Sequence, residues 1–137
     1  MVTLLLLAGL ARSLYDRREV DPWSVYERLA RKVNEVTPAG APLLADEPIY
    51  FLTRRTPPSG FELYYTHKID LPAAERRLLH VVTEAEVRQM ARAGSFATVY
   101  SCDSDEAEDY GLKELYRQKV EMDGCAIYWE PRLNADE

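Results

Sequence analysis

The chain has 137 residues, of which 17 are basic and 23 acidic, giving a net charge of −6 at neutral pH. This length and an apolar content of 47% are typical of one globular domain with its own core. The acidic balance, without a basic stripe, excludes nucleic acid as a partner, because affinity for phosphate backbones comes mainly from Lys and Arg. The two cysteines, Cys102 and Cys125, are too few for a disulfide scaffold and lack zinc-ligand spacing.

An apolar run opens the chain, with no charged side chain before Arg12. Residues 1–11 are too few to span a bilayer, which takes about 20. A signal peptide would carry a basic residue before its apolar stretch, and none precedes Leu4. Three interpretations stay open: a helix buried in the core or in a dimer, the end of a membrane helix, or a weak signal sequence. We therefore divide the chain into an apolar helix and charged hinge, residues 1–19, and a single α/β domain, residues 20–137.

The first helix of the domain has clear start and stop signals. Asp21 is a suitable N-cap, and Pro22 occupies the first helical position, where its missing N–H has no consequence. The helical stripe comprises Tyr26, Leu29, Ala30, Val33 and Val36. Pro38 and Pro42 end this helix.

Two further helices and three strands follow from local patterns. Residues 43–45 predict a short buried strand, and residues 62–68 predict a short strand or an ordered loop. Asp70-Leu71-Pro72 begins a short helix that runs to Leu79. Thr83 and Glu86 have the spacing of a capping box, and Gly94 is a suitable left-handed terminator for the helix that they begin. Residues 96–102 and 125–129 predict strands.

A last helix is predicted between these two strands. Its stripe consists of Leu112, Leu115, Tyr116 and Val120, and Asp123-Gly124 ends it. Strands separated by helices imply crossover connections. We therefore expect an α/β fold: a small three-layer sandwich with a mainly parallel sheet of three to four strands, preceded by the apolar N-terminal helix.

A parallel sheet also determines the expected state of the cysteines. Cys102 would lie at the carboxyl end of one strand and Cys125 at the amino end of its parallel neighbour. At about 3.3 Å per residue the two would be over 10 Å apart, beyond the roughly 7 Å limit for a disulfide. The sequence therefore predicts two free thiols.

Ligands of open parallel sheets bind beyond the carboxyl ends of the strands. Asp46, Glu47, Cys102 and Asp103 would lie there, which makes a strand-end enzyme site one hypothesis. Asp46 and Asp103 are also suitable caps for the helices that follow them. No nucleophile-elbow, phosphate-loop or dinucleotide motif is present, so we expect no cofactor and no catalysis by this chain alone.

A second candidate ligand-binding group combines aromatic and cationic side chains. Cation attraction and ring stacking could hold an anionic or sugar-bearing ligand. The tyrosines could equally pack a long loop onto the sheet. His67 and His80 stand apart from each other and from both cysteines, so no metal site is expected. The group comprises Arg54, Arg55, Tyr64, Tyr65 and His67.

The order of these segments resembles a known family. The apolar stretch, the charged helix, the Pro/Gly break and the segments at residues 43–47, 49–60 and 94–99 together resemble the soluble carboxy-terminal tail of bacterial multi-spanning glycosyltransferases. These enzymes are similar to dolichyl-phosphate-mannose-dependent protein mannosyltransferases. The resemblance covers roughly residues 4 to 130 and includes no diagnostic catalytic motif.

The resemblance implies a membrane enzyme that transfers a sugar from a polyprenyl-phosphate donor to an acceptor outside the membrane. The family's catalytic acid lies in an early loop that this chain lacks, so no catalytic residue is carried over. The chain would be a non-catalytic domain that aids recognition of the acceptor or the lipid phosphate, with membrane lipid or the polyprenyl-phosphate sugar as its partner.

The side of the membrane and the state of assembly stay open at this point. The family implies an extracytoplasmic domain, whereas Arg12, Arg17 and Arg18 favour the cytoplasmic side by the positive-inside rule. The alternative function is a free-standing soluble α/β binding protein that forms a homodimer through residues 1–11.

Overall fold

The computed structural model describes residues 2–16, 23–69 and 71–132. The elements in chain order are α1 (Val2–Asp16), α2 (Trp23–Val36), β1 (Leu43–Leu44), α3 (Glu47–Thr53), a 3₁₀ helix (Tyr64–Lys68), α4 (Ala73–Leu79), α5 (Glu84–Arg92), β2 (Thr98–Ser101), α6 (Ser104–Asp109), α7 (Leu112–Leu115), β3 (Tyr116–Met122) and β4 (Cys125–Pro131). The expected cap and start at Asp21 and Pro22, the helix start at Asp70 and the division between residues 19 and 20 lie outside the described residues.

The sheet is mixed, and the expectation of a mainly parallel sheet is wrong. The four strands have the order β1-β2-β4-β3. Only β1 and β2 pair in parallel, whereas β4 is antiparallel to both β2 and β3. The physical reason is the last connection, which is a tight hairpin rather than a helical crossover.

The predicted last helix ends early and continues as a strand. α7 stops at Leu115, and residues 116–122 form β3. Val120 and Met122 pack against the core beside α2 and alternate with the exposed Lys119 and Glu121, which is the period of a strand rather than of a helix. Asp123 and Gly124 both have positive φ values, 52° and 78°, which is the geometry of a two-residue hairpin turn.

Helices cover both faces of the sheet. Neighbouring residues of a strand point to opposite faces and therefore contribute to two different cores. Leu43 and Leu44 of β1, for example, belong to different cores. One core joins the sheet to α2 and α3, and includes Leu29, Val33, Ile49, Tyr100 and Ile127. The other joins it to α5, α6 and α7, and includes Val87, Phe96, Val99, Tyr110 and Leu112.

Several local predictions are confirmed. Thr83 Oγ1 accepts a hydrogen bond from the backbone N–H of Glu86, whose carboxylate accepts one from the backbone N–H of Thr83. Gly94 follows α5 with a φ of 68°. Residues 62–68, for which a short strand or an ordered loop was predicted, are not a strand and contain the 3₁₀ helix instead.

Gly60 shows why the loop before this 3₁₀ helix needs a glycine. Its φ is 89°, and a Cβ there would lie 2.9 Å from the carbonyl oxygen of His80 and 2.9 Å from Val82 Cγ1. A larger side chain would push the loop away from the segment between α4 and α5.

Cys102 and Cys125 form a disulfide, so the prediction of two free thiols is wrong. Because β2 and β4 are antiparallel, the carboxyl end of β2 lies beside the amino end of β4. Ser101 pairs with Ala126, and the two cysteines are the next pair along, with their Cα atoms 4.0 Å apart. Because β4 is antiparallel rather than parallel to β2, the two cysteines are adjacent instead of at opposite ends of the strands.

α1 is an apolar helix that exposes its leucines. Leu6 is 68% exposed, and Leu7 is 58% exposed. Every α1 residue whose exposure the structure describes is exposed, and none of them belongs to either core. Among the described residues, no helix has both the length and the apolar character that a membrane span requires.

The disulfide should stabilise the fold measurably. It closes a segment with a sequence separation of 23 residues, and the chain-entropy model gives about 3 kcal/mol for such a loop. We expect a thiol reductant to lower the free energy of unfolding by about that amount in urea titrations. A Cys102→Ala/Cys125→Ala double variant is the control and should not respond to the reductant. Equal stability of the wild type with and without reductant would contradict the cross-strand pairing.

Candidate binding site at the carboxyl ends of β1 and β2

A cavity of about 370 Å³ lies where the two parallel strands end. Asp46 follows β1, and Ser101 is the last residue of β2. Adjacent carboxyl ends of parallel strands are the usual place for a ligand crevice in sheets of this kind. The wall consists of Asp46, Tyr64, Tyr65, Tyr100, Ser101, Cys102, Asp103, Ser104 and Glu106.

Asp46 is a half-buried carboxyl group in this wall. Its side chain caps α3 by accepting a hydrogen bond from the backbone N–H of Ile49 at 3.3 Å. Burial raises the pKa of Asp46 to about 6, with a further contribution from the negative charge of Glu47 and opposition from the Ile49 hydrogen bond. The Asp46 carboxyl group therefore changes between its protonated and ionised forms near neutral pH.

Glu106 places a second carboxylate in the wall, and its side chain is only 6% exposed. The Tyr64 hydroxyl donates a hydrogen bond to Glu106 Oε1, and Lys68 Nζ lies 3.1 Å from Oε2. Burial and the Glu106 charge raise the pKa of Tyr64 above its usual range. Tyr64 therefore remains a hydrogen-bond donor to the carboxylate.

His67 packs behind this carboxylate. Its Nδ1 lies within hydrogen-bond distance of the Tyr64 carbonyl oxygen, which can only accept, so Nδ1 carries a proton. Nε2 is buried, lies 4.0 Å from Glu106 Oε1 and has no hydrogen-bond partner in the described part of the chain. His67 is thus a buried polar group behind the cavity wall rather than part of it.

Lys68 and Asp103 form the exposed rim beside Glu106. Lys68 Nζ lies 3.3 Å from Asp103 Oδ2 and 5.6 Å from the centre of the Tyr65 ring. Partial burial opposes the charged form of Lys68, but the two carboxylates outweigh it and raise the pKa of the ammonium. The backbone N–H of Glu106 and then the Lys68 side chain lower the pKa of Asp103.

Glu47 and Tyr65 complete the neighbourhood of the cavity. Glu47 Oε1 accepts a hydrogen bond of 2.8 Å from the Tyr64 backbone N–H, which ties the 3₁₀ helix to α3. The Tyr65 ring meets Tyr64 edge to face, with the ring centres 5.3 Å apart. Tyr65 is 64% exposed, so its face is accessible to a ligand.

The two arginines of the predicted ligand group lie away from this cavity wall. The Arg55 guanidinium donates hydrogen bonds to the carbonyl oxygens of Thr37 and Pro38, at 2.7 and 3.0 Å. It thereby holds the segment that follows α2. Arg54 is exposed and ends α3 in a left-handed conformation with a φ of 56°.

The structure therefore brings together Asp46, Glu47, Tyr64, Tyr65 and His67 and separates them from the arginines. The sequence reasoning missed Glu106 and Lys68. Glu106 stands three residues after the cap Asp103, which is a normal position for an exposed acid in a first helical turn. Its burial depends on the tertiary contact with Tyr64, which no local pattern could predict.

A larger groove of about 750 Å³ borders the same disulfide. It lies beside the β3-β4 hairpin and carries charged side chains that are exposed, such as Lys119 and Glu121, which pair with each other. We regard the smaller cavity as the better candidate because buried polar groups converge on it. In the described ranges, no group of three or more His, Cys, Asp or Glu side chains is arranged to hold a metal ion.

Comparison with models of protein families, with curated proteins and with solved structures gave no significant match for this chain.

The two helix caps of the cavity should respond oppositely to the removal of their charge. Asp46 has a folded-state pKa of about 6, above its value of about 3.9 in an unfolded chain. Folding therefore favours its protonated form, and this contribution is lost as the pH rises through about 6. Asn is an equally good cap. We expect Asp46→Asn to increase the free energy of unfolding by about 1 kcal/mol at about pH 7.5, with little effect near pH 4.

Asp103→Asn is the matched control, because this cap has a lowered pKa. Its stabilising contribution is present above the unfolded-state pKa and is lost in acid. This variant should be destabilised at about pH 7.5 and should approach the wild type near pH 3. Urea titrations across this range measure both effects, and a change of the same sign for the two variants would contradict the assignment.

Proposed function

We propose that the chain is a non-catalytic domain of a membrane glycosyltransferase that transfers a sugar from a polyprenyl-phosphate donor. In this proposal α1 is the end of a membrane helix, and the domain that follows it contributes to recognition of the acceptor. The catalytic acid would belong to another part of the parent protein.

The exposed leucines of α1 are the observation that carries this proposal. Leu6 and Leu7 are more than half exposed in a 15-residue helix that otherwise contains mostly apolar residues before Arg12. Exposed apolar side chains in such a cluster indicate a surface that is covered in the working protein. A bilayer suits this helix because apolar side chains are found around it rather than along one stripe.

The disulfide supports an extracytoplasmic position for the domain. Disulfides persist in oxidising compartments and are rare in the reducing cytoplasm. Cys102 is exposed beside the disulfide partner Cys125, so a cytoplasmic reductant would have access to the bond. This argument opposes the one from Arg12, Arg17 and Arg18, which favour the cytoplasmic side by the positive-inside rule. The proposal follows the disulfide.

The charges of the cavity favour the acceptor over the lipid phosphate as the ligand of this domain. Asp46, Asp103 and Glu106 all belong to the wall, whose lining in the described part of the chain includes no Lys or Arg, although Lys68 pairs with two of these carboxylates at the rim. A phosphate group would meet carboxylates there. Arg54, which is exposed, remains the residue to test for contact with a lipid phosphate.

Vesicle flotation tests the membrane part of the proposal with the full chain. We expect the wild type to float with phosphatidylcholine vesicles and a Leu6→Asp/Leu7→Asp variant to bind at least about tenfold more weakly, because aspartate is strongly disfavoured in the apolar core of a bilayer. Ser13→Asp, an exposed change near the end of the same helix, should retain most of the binding. A wild type that stays in solution as a dimer, and that the leucine substitutions convert into a monomer, would instead favour the soluble homodimer.

Transfer of sugar tests the enzymatic part. Membranes from cells that lack the parent protein should no longer transfer labelled sugar from the polyprenyl-phosphate donor that the parent uses, and the intact protein should restore this activity. Restoration by a parent protein whose domain carries Asp46→Asn and Tyr65→Ala should be incomplete at low acceptor concentration. Unchanged transfer without the parent protein for every such donor tested would overturn the proposal.

A further inference from the structure

Two aromatic side chains are exposed next to each other on α2 and α3. Trp23 is 51% exposed at the start of α2, and Phe51 is 73% exposed on α3. Their ring centres are 6.2 Å apart, and the Trp23 ring also lies 6.1 Å from that of Tyr26. We call Trp23 and Phe51 the aromatic patch. Single exposed apolar residues are common on protein surfaces, but large rings that contact each other indicate an interaction surface.

The patch continues the apolar face of α2 beyond the core. Trp23, Tyr26, Ala30 and Val33 follow each other at intervals of three and four residues, so they share one face of the helix. Ala30 and Val33 are buried, Tyr26 is partly buried and Trp23 is half exposed. The apolar face of α2 therefore extends past the edge of the core, and its first turn is not covered by the described part of the chain.

The length of the connection to α1 places the patch near the proposed membrane helix. Only residues 17–22 separate Asp16, where α1 ends, from Trp23. A fully extended chain of this length spans at most about 25 Å between the two Cα atoms. Tyr15, in the last turn of α1, is 70% exposed, and tyrosine is typical of the level at which a membrane helix leaves the bilayer. The patch is therefore the part of the domain that the chain holds closest to that level.

The chemistry of the patch and of its neighbour Arg54 suits the headgroup region of a bilayer. Tryptophan is enriched at membrane–water interfaces, and exposed Trp, Phe and Leu are the side chains with which peripheral helices enter them. Arg54 is exposed and follows Phe51 by three residues. No ion pair of its guanidinium occurs among the described residues. A cation at this position is complementary to the phosphate groups of lipids.

We propose that the aromatic patch inserts into the headgroup region of the bilayer and holds the α2–α3 side of the domain against the membrane, with Arg54 at the lipid phosphates. The inference rests on the proposed function, because α1 brings the patch to the membrane. It adds the surface through which the domain itself contacts lipid and is oriented on the bilayer. The partner of the patch is thus lipid, and not a second copy of the chain or another protein.

Tryptophan fluorescence of the full chain on vesicles of brominated phosphatidylcholine tests this insertion, because bromine quenches a tryptophan only at close range. The chain has two tryptophans, so Trp129→Phe leaves Trp23 as the only one, and Trp23→Phe leaves Trp129. Trp129 lies in β4 and packs against the core beside α2. We expect vesicles to shift the emission of Trp23 to shorter wavelength and the bromine to quench it. The emission of Trp129 should stay unchanged.

Three exposed positions locate the contact in a chain that keeps both tryptophans. Phe51→Ser should weaken flotation with phosphatidylcholine vesicles about tenfold, the effect of removing one large apolar side chain from a lipid contact. Arg54→Gln should weaken binding to vesicles that contain phosphatidylglycerol about fivefold, the contribution of one basic side chain near an anionic surface. Leu78→Ser is the matched control and should bind as the wild type does, because Leu78 is 79% exposed on α4 and does not belong to the patch.

The outcomes separate this inference from the proposed function. Vesicle binding through the leucines of α1 without quenching of Trp23, or with equal binding of wild type and Phe51→Ser, would overturn the inference and leave the proposed function standing. An equal loss of binding for Leu78→Ser and Phe51→Ser would also overturn it, as would a dimer that Phe51→Ser converts into a monomer. A wild type that does not bind vesicles would overturn the membrane part of the proposed function together with this inference.

Discussion

The antiparallel position of β4 between β2 and β3 is the constraint on which the rest of the structure depends. It makes β4 a central strand, whose residues contribute to both cores, Ile127 to one and Tyr128 to the other. It also brings Cys125 beside Cys102 at the end of β2. The disulfide thereby fixes the end of β2 at the point where the cavity begins. It helps to hold the wall of the candidate site in place.

The cavity shows how one residue type acquires two different properties at equivalent positions. Asp46 and Asp103 each follow a strand of the parallel pair, and each caps the helix that comes next. Burial raises the pKa of Asp46, whereas backbone hydrogen bonding and Lys68 lower that of Asp103. The cavity therefore has one carboxyl group that can change its charge near neutral pH and one that stays ionised.

Local chemistry made part of this fold predictable from the sequence. The capping box at Thr83, the terminator Gly94 and the apolar stripe of α2 depend on neighbours within one or two turns, and all three are confirmed. The end of α7 is different, because the spacing of Leu112, Leu115 and Tyr116 predicts a helix that the structure ends at Leu115. Asp123-Gly124 is typical of a two-residue hairpin turn, and its interpretation as a helix stop led to the prediction of the wrong sheet.

Only those residues of the candidate site that directly follow a strand could be predicted from the sequence. Asp46 and Asp103 could be placed near one edge of the sheet because β1 and β2 are in fact parallel. Tyr64 and Tyr65 were assigned to a separate group with the arginines, and only the fold brings them to this edge. The partners of Glu106 could not be inferred, since its contact with Tyr64 joins residues 42 positions apart. Arg55 was expected to bind a ligand, but it donates a hydrogen bond to the carbonyl oxygen of Thr37 just after α2. This contact between distant residues has no local sequence signal.

Direct mapping of the cysteines tests the central claim, which is that β4 runs antiparallel to β2 and places Cys125 beside Cys102. Protein taken from native cells would be treated with an alkylating reagent before lysis, digested without reductant and examined by mass spectrometry. The account predicts one cross-linked pair of peptides containing Cys102 and Cys125 and no alkylated thiol. Recovery of both cysteines in alkylated form would contradict the disulfide that joins the end of β2 to the start of β4.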